Sequence, residues 1–306
     1  MVNYSIIIPH HNIPKLLERC LASIPQRDDL EIIIVDDNSD ASKVDFEHFP
    51  GKERPDTIII YSKDGKGGGH ARNLGLEKAN GKWVIFADAD DFFNKEFSHI
   101  LDQYKDEIKH DLIFFSANSV DTDTYQPADR AGYIQDYHTI YHRDPKRGEL
   151  LFRYLFGEPW SKLVSKSLID QHHIRFEETR INNDTQFAYL IGYFAKNILV
   201  DEREIYCVTF RNGSVSKSID LDKIMTRVKV FAKANYFYQS HDIPMEWERL
   251  YWQLADLRLN DKSLYRQAIQ LCLDQGLEKK AVNKKVLKAI PKALGRKYIR
   301  GKELLG

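Results

Sequence analysis

Three aspartates fall within four residues at Asp88-Ala89-Asp90-Asp91, directly after the apolar run Trp83-Val84-Ile85-Phe86-Ala87. In a turn leaving a strand, alternate carboxylates can face one cavity. Hard divalent cations such as Mn²⁺ or Mg²⁺ bind through one or two carboxylates plus phosphate oxygens. Acids this close repel one another unless a cation or a hydrogen-bond donor answers them. The plainer alternative is a loop that caps the next helix through Asp91 or Asn94. A second acidic pair, Asp36-Asp37, follows Val35. These are turn residues of the Asx kind, or one of them accepts a hydrogen bond from a base or ribose. Gly67-Gly68-Gly69 matches neither a phosphate loop nor a dinucleotide fingerprint. It can be a flexible loop and nothing more, although Arg72 opens the helix behind it, where a guanidinium can meet a diphosphate. Asp184 stands just before a helical run at 185–194, in the position of an N-cap.

These residues need elements to carry them. Apolar runs at 6–8, 31–35, 57–61, 83–87 and 112–116 read as strands, and helical spacing occupies 15–24, 72–79 and 97–108 between them. Such alternation indicates an α/β fold, a mostly parallel sheet covered by helices on both faces. Sheets of this type bind ligands at the carboxyl ends of their strands. Four successive strands here end in polar or flexible clusters: Pro9-His10-His11-Asn12, Asp36-Asp37-Asn38-Ser39, the 63–70 loop and Asp88-Ala89-Asp90-Asp91. One such cluster would mean little, whereas four converge on a crevice. Residues 122–148 read as an excursion, then 149–156, 163–171 and 185–194 as helices and 205–210 as an added strand. From 220 onward only helices are expected. The boundary falls near Gly213, giving a catalytic unit at 1–213 and a helical extension at 214–306.

The chain has 306 residues, 42% hydrophobic and 29% charged, in keeping with a globular protein. Cys20, Cys207 and Cys272 match neither a disulfide framework nor a zinc spacing, and the paired histidines His10-His11 and His172-His173 make no convincing zinc site. A strand-like run begins at Tyr4, leaving no room for a signal peptide. No apolar run approaches the roughly 20 residues of a membrane span. A cytoplasmic enzyme is therefore expected. Formal net charge is zero, which argues against nucleic acid as the main partner. The balance is uneven, because residues 277–306 carry ten Lys or Arg against Glu278 and Glu303.

Order and spacing resemble family 2 glycosyltransferases with the GT-A (Rossmann-like) fold. The resemblance rests on Ile6-Ile7-Ile8-Pro9-His10-His11-Asn12, Val35-Asp36-Asp37-Asn38-Ser39, Ala71-Arg72-Asn73-x-Gly75 and the segment from Ala79 through Asp91. Pro159-Trp160-Ser161-Lys162-Leu163-Val164 and Arg211-x-Gly213-Ser214-Val215-Ser216 look like later elements of the bacterial surface-polysaccharide members. The resemblance covers residues 5–216 and implies an inverting, metal-dependent transfer from a UDP-sugar to a hydroxyl of a glycan or lipid-linked glycan. It places Pro9, His11 and Asp37 at the base, Arg72 at the diphosphate, Asp88 and Asp90 at the ribose side and the Mn²⁺ or Mg²⁺, and Asp184 as catalytic base. Two positions depart from the family pattern: Asn183 stands where relatives carry Glu, and His11 where many carry Tyr. Trp160 is either a platform for the acceptor sugar or ordinary core. Two other classes compete. A haloacid dehalogenase-type phosphotransferase would leave the early strand-end clusters unexplained. A non-catalytic nucleotide-sugar or glycan-binding relative would show nucleotide binding without transfer.

In the tail, Val282, Val286, Leu287, Ile290 and Leu294 share a helical face, with lysines largely elsewhere and Pro291 expected to interrupt the helix. A basic amphipathic segment of this kind can lie on the anionic inner face of a cell membrane, or pack its apolar face on the catalytic unit.

Overall fold

The computed structural model describes residues 2–210 and 221–303, with side chains described as far as residue 294. The chain divides into two compact units, Met1–Lys217 and Ser218–Gly306. The boundary expected at Gly213 and the Arg211-x-Gly213-Ser214-Val215-Ser216 motif lie outside the described residues.

The first unit is built on one eight-stranded sheet. Its strands are β1 (Tyr4–His10), β2 (Leu30–Asp37), β3 (Thr57–Ser62), β4 (Trp83–Phe86), β5 (Phe92–Phe93), β6 (Leu112–Asp121), β7 (Lys162–Ser165) and β8 (Ile198–Phe210). Helices α1 (Pro14–Ala22), α2 (Gly68–Lys78), α3 (Phe97–Tyr104), α4 (Gly132–Arg143), α5 (Pro145–Tyr154), α6 (Lys166–Gln171) and α7 (Thr185–Phe194) connect them. The spatial order is β3-β2-β1-β4-β7-β6-β8-β5. Pairing is parallel through β3, β2, β1 and β4, and between β6 and β8. The unbroken isoleucines of β1 and β2 are buried, as strands covered on both faces require. The α/β architecture with a helical C-terminal region is the one expected.

Two local expectations change. Residues 163–171 divide into β7 and the short α6, because Leu163 and Val164 fill the gap between β4 and β6, where Val164 pairs with both Val84 and Leu112. A short apolar segment carries no periodicity that separates strand from helix. The 122–148 excursion also contains α4, whose Ile134 and His138 are buried.

The chain leaves β1 toward β2 and β3, then returns to place β4 on the other side of β1. The carboxyl ends of β1 and β4 therefore form the switch point where such sheets open a crevice. The register of β6 against β8 shifts around Ser116, and the far half of β8 continues to pair with β5, Phe93 opposite Tyr206. Tyr206 and Thr209 are thereby brought to the acidic turn that follows β4.

The second unit comprises α8 (Leu221–Ser240), α9 (Arg249–Asn260), α10 (Lys262–Asp274) and α11 (Lys279–Glu303). Its core includes Val228, Phe231, Leu250, Leu254, Cys272, Leu277, Val282 and Val286. Val282 and Val286 of the tail thus point into this unit's own core, whereas Leu287 and Leu294 are 53% and 51% exposed. Pro291 lies inside α11 and does not end it. Among the described residues no helix is long and apolar enough to cross a membrane, and all three cysteines are buried and free.

Candidate active site

At the ends of β1 and β2 the two adjacent aspartates do different work. Asp36 accepts from His10 Nδ1 at 2.7 Å and from the Ser39 hydroxyl at 2.6 Å. Burial opposes its ionisation, yet the hydrogen bonds from His10 and Ser39 outweigh burial and hold the carboxyl below its ordinary range. Asp36 therefore ties one strand end to the next. Asp37 is 6% exposed; its Oδ2 accepts from the Gly67 amide at 2.7 Å, and its Oδ1 is buried with no hydrogen-bond partner. A buried acceptor without a donor is costly to leave so, by about 1–3 kcal/mol. Gly67 sits at φ 93°, a conformation that favours glycine, and this turn delivers its amide to Asp37. His11 is exposed and donates from Nδ1 to the Asp37 carbonyl at 2.8 Å. Half-buried Pro9 pairs with Val35 in the sheet.

The three carboxylates after β4 also separate. Asp91 turns inward, accepting from the Thr209 amide at 2.7 Å and from the Tyr206 hydroxyl at 3.1 Å. Burial, and then the charges of Asp90 and Asp88, push its carboxyl well above the ordinary range. Tyr206 also accepts the Asp88 amide at 2.8 Å. Arg19 of α1 donates to the Asp90 carbonyl at 2.5 Å and the Thr122 carbonyl at 3.1 Å, closing the turn from the other side. Asp88 and Asp90 are left half-buried on the turn. Among the described residues no three His, Cys, Asp or Glu side chains gather as a metal cage. Two carboxylates on one turn instead fit a hard cation that completes its shell with phosphate oxygens.

The start of α2 carries a second structure, the 176–184 loop. Asn73 pairs with the Phe176 backbone in both directions, at 3.0 and 2.9 Å, and His70 Nδ1 meets Glu178 at 2.9 Å. A Cβ on Gly69 would lie 2.1 Å from the Glu177 carbonyl oxygen and 2.9 Å from Asn183 Cβ, so glycine permits this close approach. Arg72 joins the two halves. Its guanidinium meets Asp88 Oδ1 at 2.5 Å and Asn183 Oδ1 at 3.0 Å, with Phe176 beneath it at 5.4 Å. The Ala71-Arg72-Asn73-x-Gly75 motif therefore docks the Asp184 loop against the acidic turn.

Asp184 is half-buried, and burial followed by the negative charge of Glu158 pushes its carboxyl up to about 7, against the pull of Arg72. It holds the N-cap position of α7 without a side-chain capping bond. Glu158 accepts from the Tyr133 hydroxyl at 2.5 Å.

Of the residues singled out in the sequence, Arg72, Asp88 and the Asp184 loop are brought together, and Asp37 and His11 share the neighbouring strand ends. Trp160 is 5% exposed, belongs to the hydrophobic core and stacks on Tyr206 at 5.5 Å. Sequence reasoning missed Arg19, Tyr206, Thr209, Glu158 and Tyr133. Each acts across 25 or more residues of sequence, and no local spacing announces such partners. The one available signal was Lys162 within the Pro159–Val164 motif, a cation in an apolar strand.

A sequence model of the family described as Glycosyl transferase family 2 matches residues 5–172. The chain is 28% identical over 214 residues to the putative glycosyltransferase EpsH of Bacillus subtilis, covering 66% of this chain and 59% of that protein. It is 29% identical over 220 residues to the poly(ribitol-phosphate) beta-N-acetylglucosaminyltransferase TarS of Staphylococcus aureus, covering 70% of this chain but 36% of TarS. The crystal structure of TarS 1–349 in complex with UDP-GlcNAc superposes with a TM-score of 0.66 at 18% identity, over 98% of this chain and 92% of that one. The mannosyltransferase PcManGT from Pyrobaculum calidifontis, in complex with GDP-Man and Mn²⁺, gives 0.57 at 14% identity, over 95% and 80%. The likeness to TarS gives the first unit its fold, GT-A.

Proposed function

The chain belongs to glycosyltransferase family 2, and on that premise we propose that it transfers a sugar, with inversion, from a UDP-sugar to a hydroxyl of a glycan or lipid-linked glycan of the bacterial surface. The observation that carries this reading is the bridge made by Arg72, which places the Asp184 loop beside the acidic turn. A relative named for transfer to poly(ribitol-phosphate) supports a polymer acceptor, and structures solved with nucleotide sugars support the donor class.

Asp37 Oδ1, buried and without a donor, receives an N–H of the base, with His11 and Pro9 beside it. Arg72 sits against the diphosphate. Asp88 and Asp90 would hold Mn²⁺ or Mg²⁺, which when bound supplies Lewis-acid neutralisation of the diphosphate. Asp184 takes the proton of the acceptor hydroxyl as its oxygen bonds to the anomeric carbon. The bond from that carbon to the diphosphate oxygen breaks, and UDP departs with the electron pair. An alpha-linked donor gives a beta-linked product. Trp160 borders the acceptor. The enzyme works in the cytoplasm, at the inner face of the membrane where lipid-linked acceptors are displayed.

General-base catalysis contributes about 10² to 10⁴ in rate. Asp184→Asn should lower turnover by about that factor, while calorimetry finds UDP binding unchanged. Full turnover in this variant would remove Asp184 from the reaction.

A further inference from the structure

We propose that the helical C-terminal unit carries a binding groove of its own, which takes a single phosphate-bearing amphiphile: one hydrocarbon chain ending in a phosphate or diphosphate. The groove is lined only by residues of that unit, and its ligand does not depend on the transfer reaction.

The groove has a volume of about 750 Å³, within the range of small-molecule sites. Along α10, Lys262, Arg266, Ile269 and Leu273 recur at helical spacing, share one face and line it. Lys279, Asn283 and Leu287 do the same on α11, and Arg258 joins them from α9. Tyr265 ties these helices together. Its hydroxyl donates to Asn283 Oδ1 at 3.1 Å, and the Arg258 guanidinium lies 5.8 Å from the centre of its ring. Side chains of three helices are thereby held around one opening.

The charges around it are one-sided. Arg258, Lys262, Arg266 and Lys279 line the groove, and no acid does. Elsewhere on α11 the lysines are answered: Lys285 pairs with Glu246, and Lys292 lies 3.7 Å from Glu248. Among the described residues none of the four groove cations has a carboxylate partner. Like charges gathered without an acid repel one another, and a bound anion relieves them. Guanidinium forks and ammonium groups together suit phosphate oxygens. The rest of the lining speaks for a chain. Ile269 and Leu273 contribute apolar wall, and Leu287 stands 53% exposed in the same lining. Neither a free phosphate nor an extended polyanion gains from that surface, whereas a hydrocarbon chain is stabilised by each methylene it buries there. A groove of this size admits one chain and its head, not a patch of bilayer. The exposed stripe Lys280, Lys284 and Lys288 lies outside the lining, about 100° further round α11.

Calorimetric titration of the full chain with decyl phosphate, kept below its micelle concentration, tests the groove. Decyl phosphate should bind at least about 10-fold more tightly than inorganic phosphate, a factor that a few buried methylenes supply. Arg258→Gln combined with Arg266→Gln should weaken it about 10-fold or more. Leu287→Asn should weaken decyl phosphate several-fold and leave inorganic phosphate where it was. Should the arginine variant fail to fold, Lys262→Gln combined with Lys279→Gln repeats the charge test at exposed positions. Decyl phosphate affinity that stays in place in both charge variants, or that equals the affinity for inorganic phosphate, overturns the proposal. Inorganic polyphosphate that binds more tightly than decyl phosphate, with Leu287→Asn altering neither, also overturns it and gives the groove to a polyanion.

Discussion

At the scale of residues, adjacent acids of the same type divide their labour by direction. Asp36 and Asp91 face inward and are spent on His10, Ser39, Tyr206 and Thr209. Asp37, Asp88 and Asp90 line the strand ends. The spacing of the acids was legible in the sequence, but which member of each pair turns inward was not. For Asp36 that choice depends on His10, across 26 residues, and for Asp91 on β8, which arrives more than 100 residues later. Asp37 carries the sharpest expectation, because one oxygen is already committed to Gly67 and the other is buried and bare. Asp37→Asn keeps the shape, accepts from Gly67, and presents an amide donor where an acceptor is needed. Hydrogen bonds to charged groups contribute about 1.5–3 kcal/mol, so UDP should bind about 10- to 100-fold more weakly by calorimetry. Unchanged affinity would move the base elsewhere.

At the scale of elements, α2 serves both halves of the site. Its amino end receives the 176–184 loop, and its Arg72 reaches the acidic turn. The sequence announced this helix and its arginine but not the loop, whose contacts with it lie more than 100 residues away. The strands of β1, β2 and β4 were readable because burial on both faces demands unbroken apolar runs. β7 was not, since four residues between two strands have no period. Gly69→Ala tests the docking. Its Cβ would meet the Glu177 carbonyl oxygen at 2.1 Å, so the loop must retreat, and a displacement of about 1 Å can lower turnover about 10²-fold. UDP affinity should hold, since the Gly67 amide that orients Asp37 is not bonded to the 176–184 loop. A loss of UDP affinity with normal turnover would contradict the docking role.

At the scale of the whole molecule, the tail has a different use for its apolar face than a free amphipathic helix would. Val282 and Val286 complete the core of the helical unit. Removing residues 277–306 should therefore lower the melting temperature of that unit, and truncation is a poor probe of lipid contact. We propose that any membrane contact is electrostatic, made by the exposed Lys280, Lys284 and Lys288. Each basic residue near an anionic surface contributes about 1 kcal/mol. Changing all three to Glu should abolish sedimentation with phosphatidylglycerol vesicles while leaving the melting temperature in place. Equal sedimentation of both proteins would exclude this surface.

In the proposed donor site, two carboxylates and a diphosphate would together hold the metal. Calorimetric titration of UDP in Mn²⁺, then in EDTA, tests it most directly, with Asp90→Ala as the paired variant. Binding in Mn²⁺ should be lost in EDTA and in Asp90→Ala, with only weak uptake of Mn²⁺ without UDP, because no protein cage of three ligands forms among the described residues. Equal UDP affinity in Mn²⁺ and EDTA, unaltered by Asp90→Ala, would contradict it.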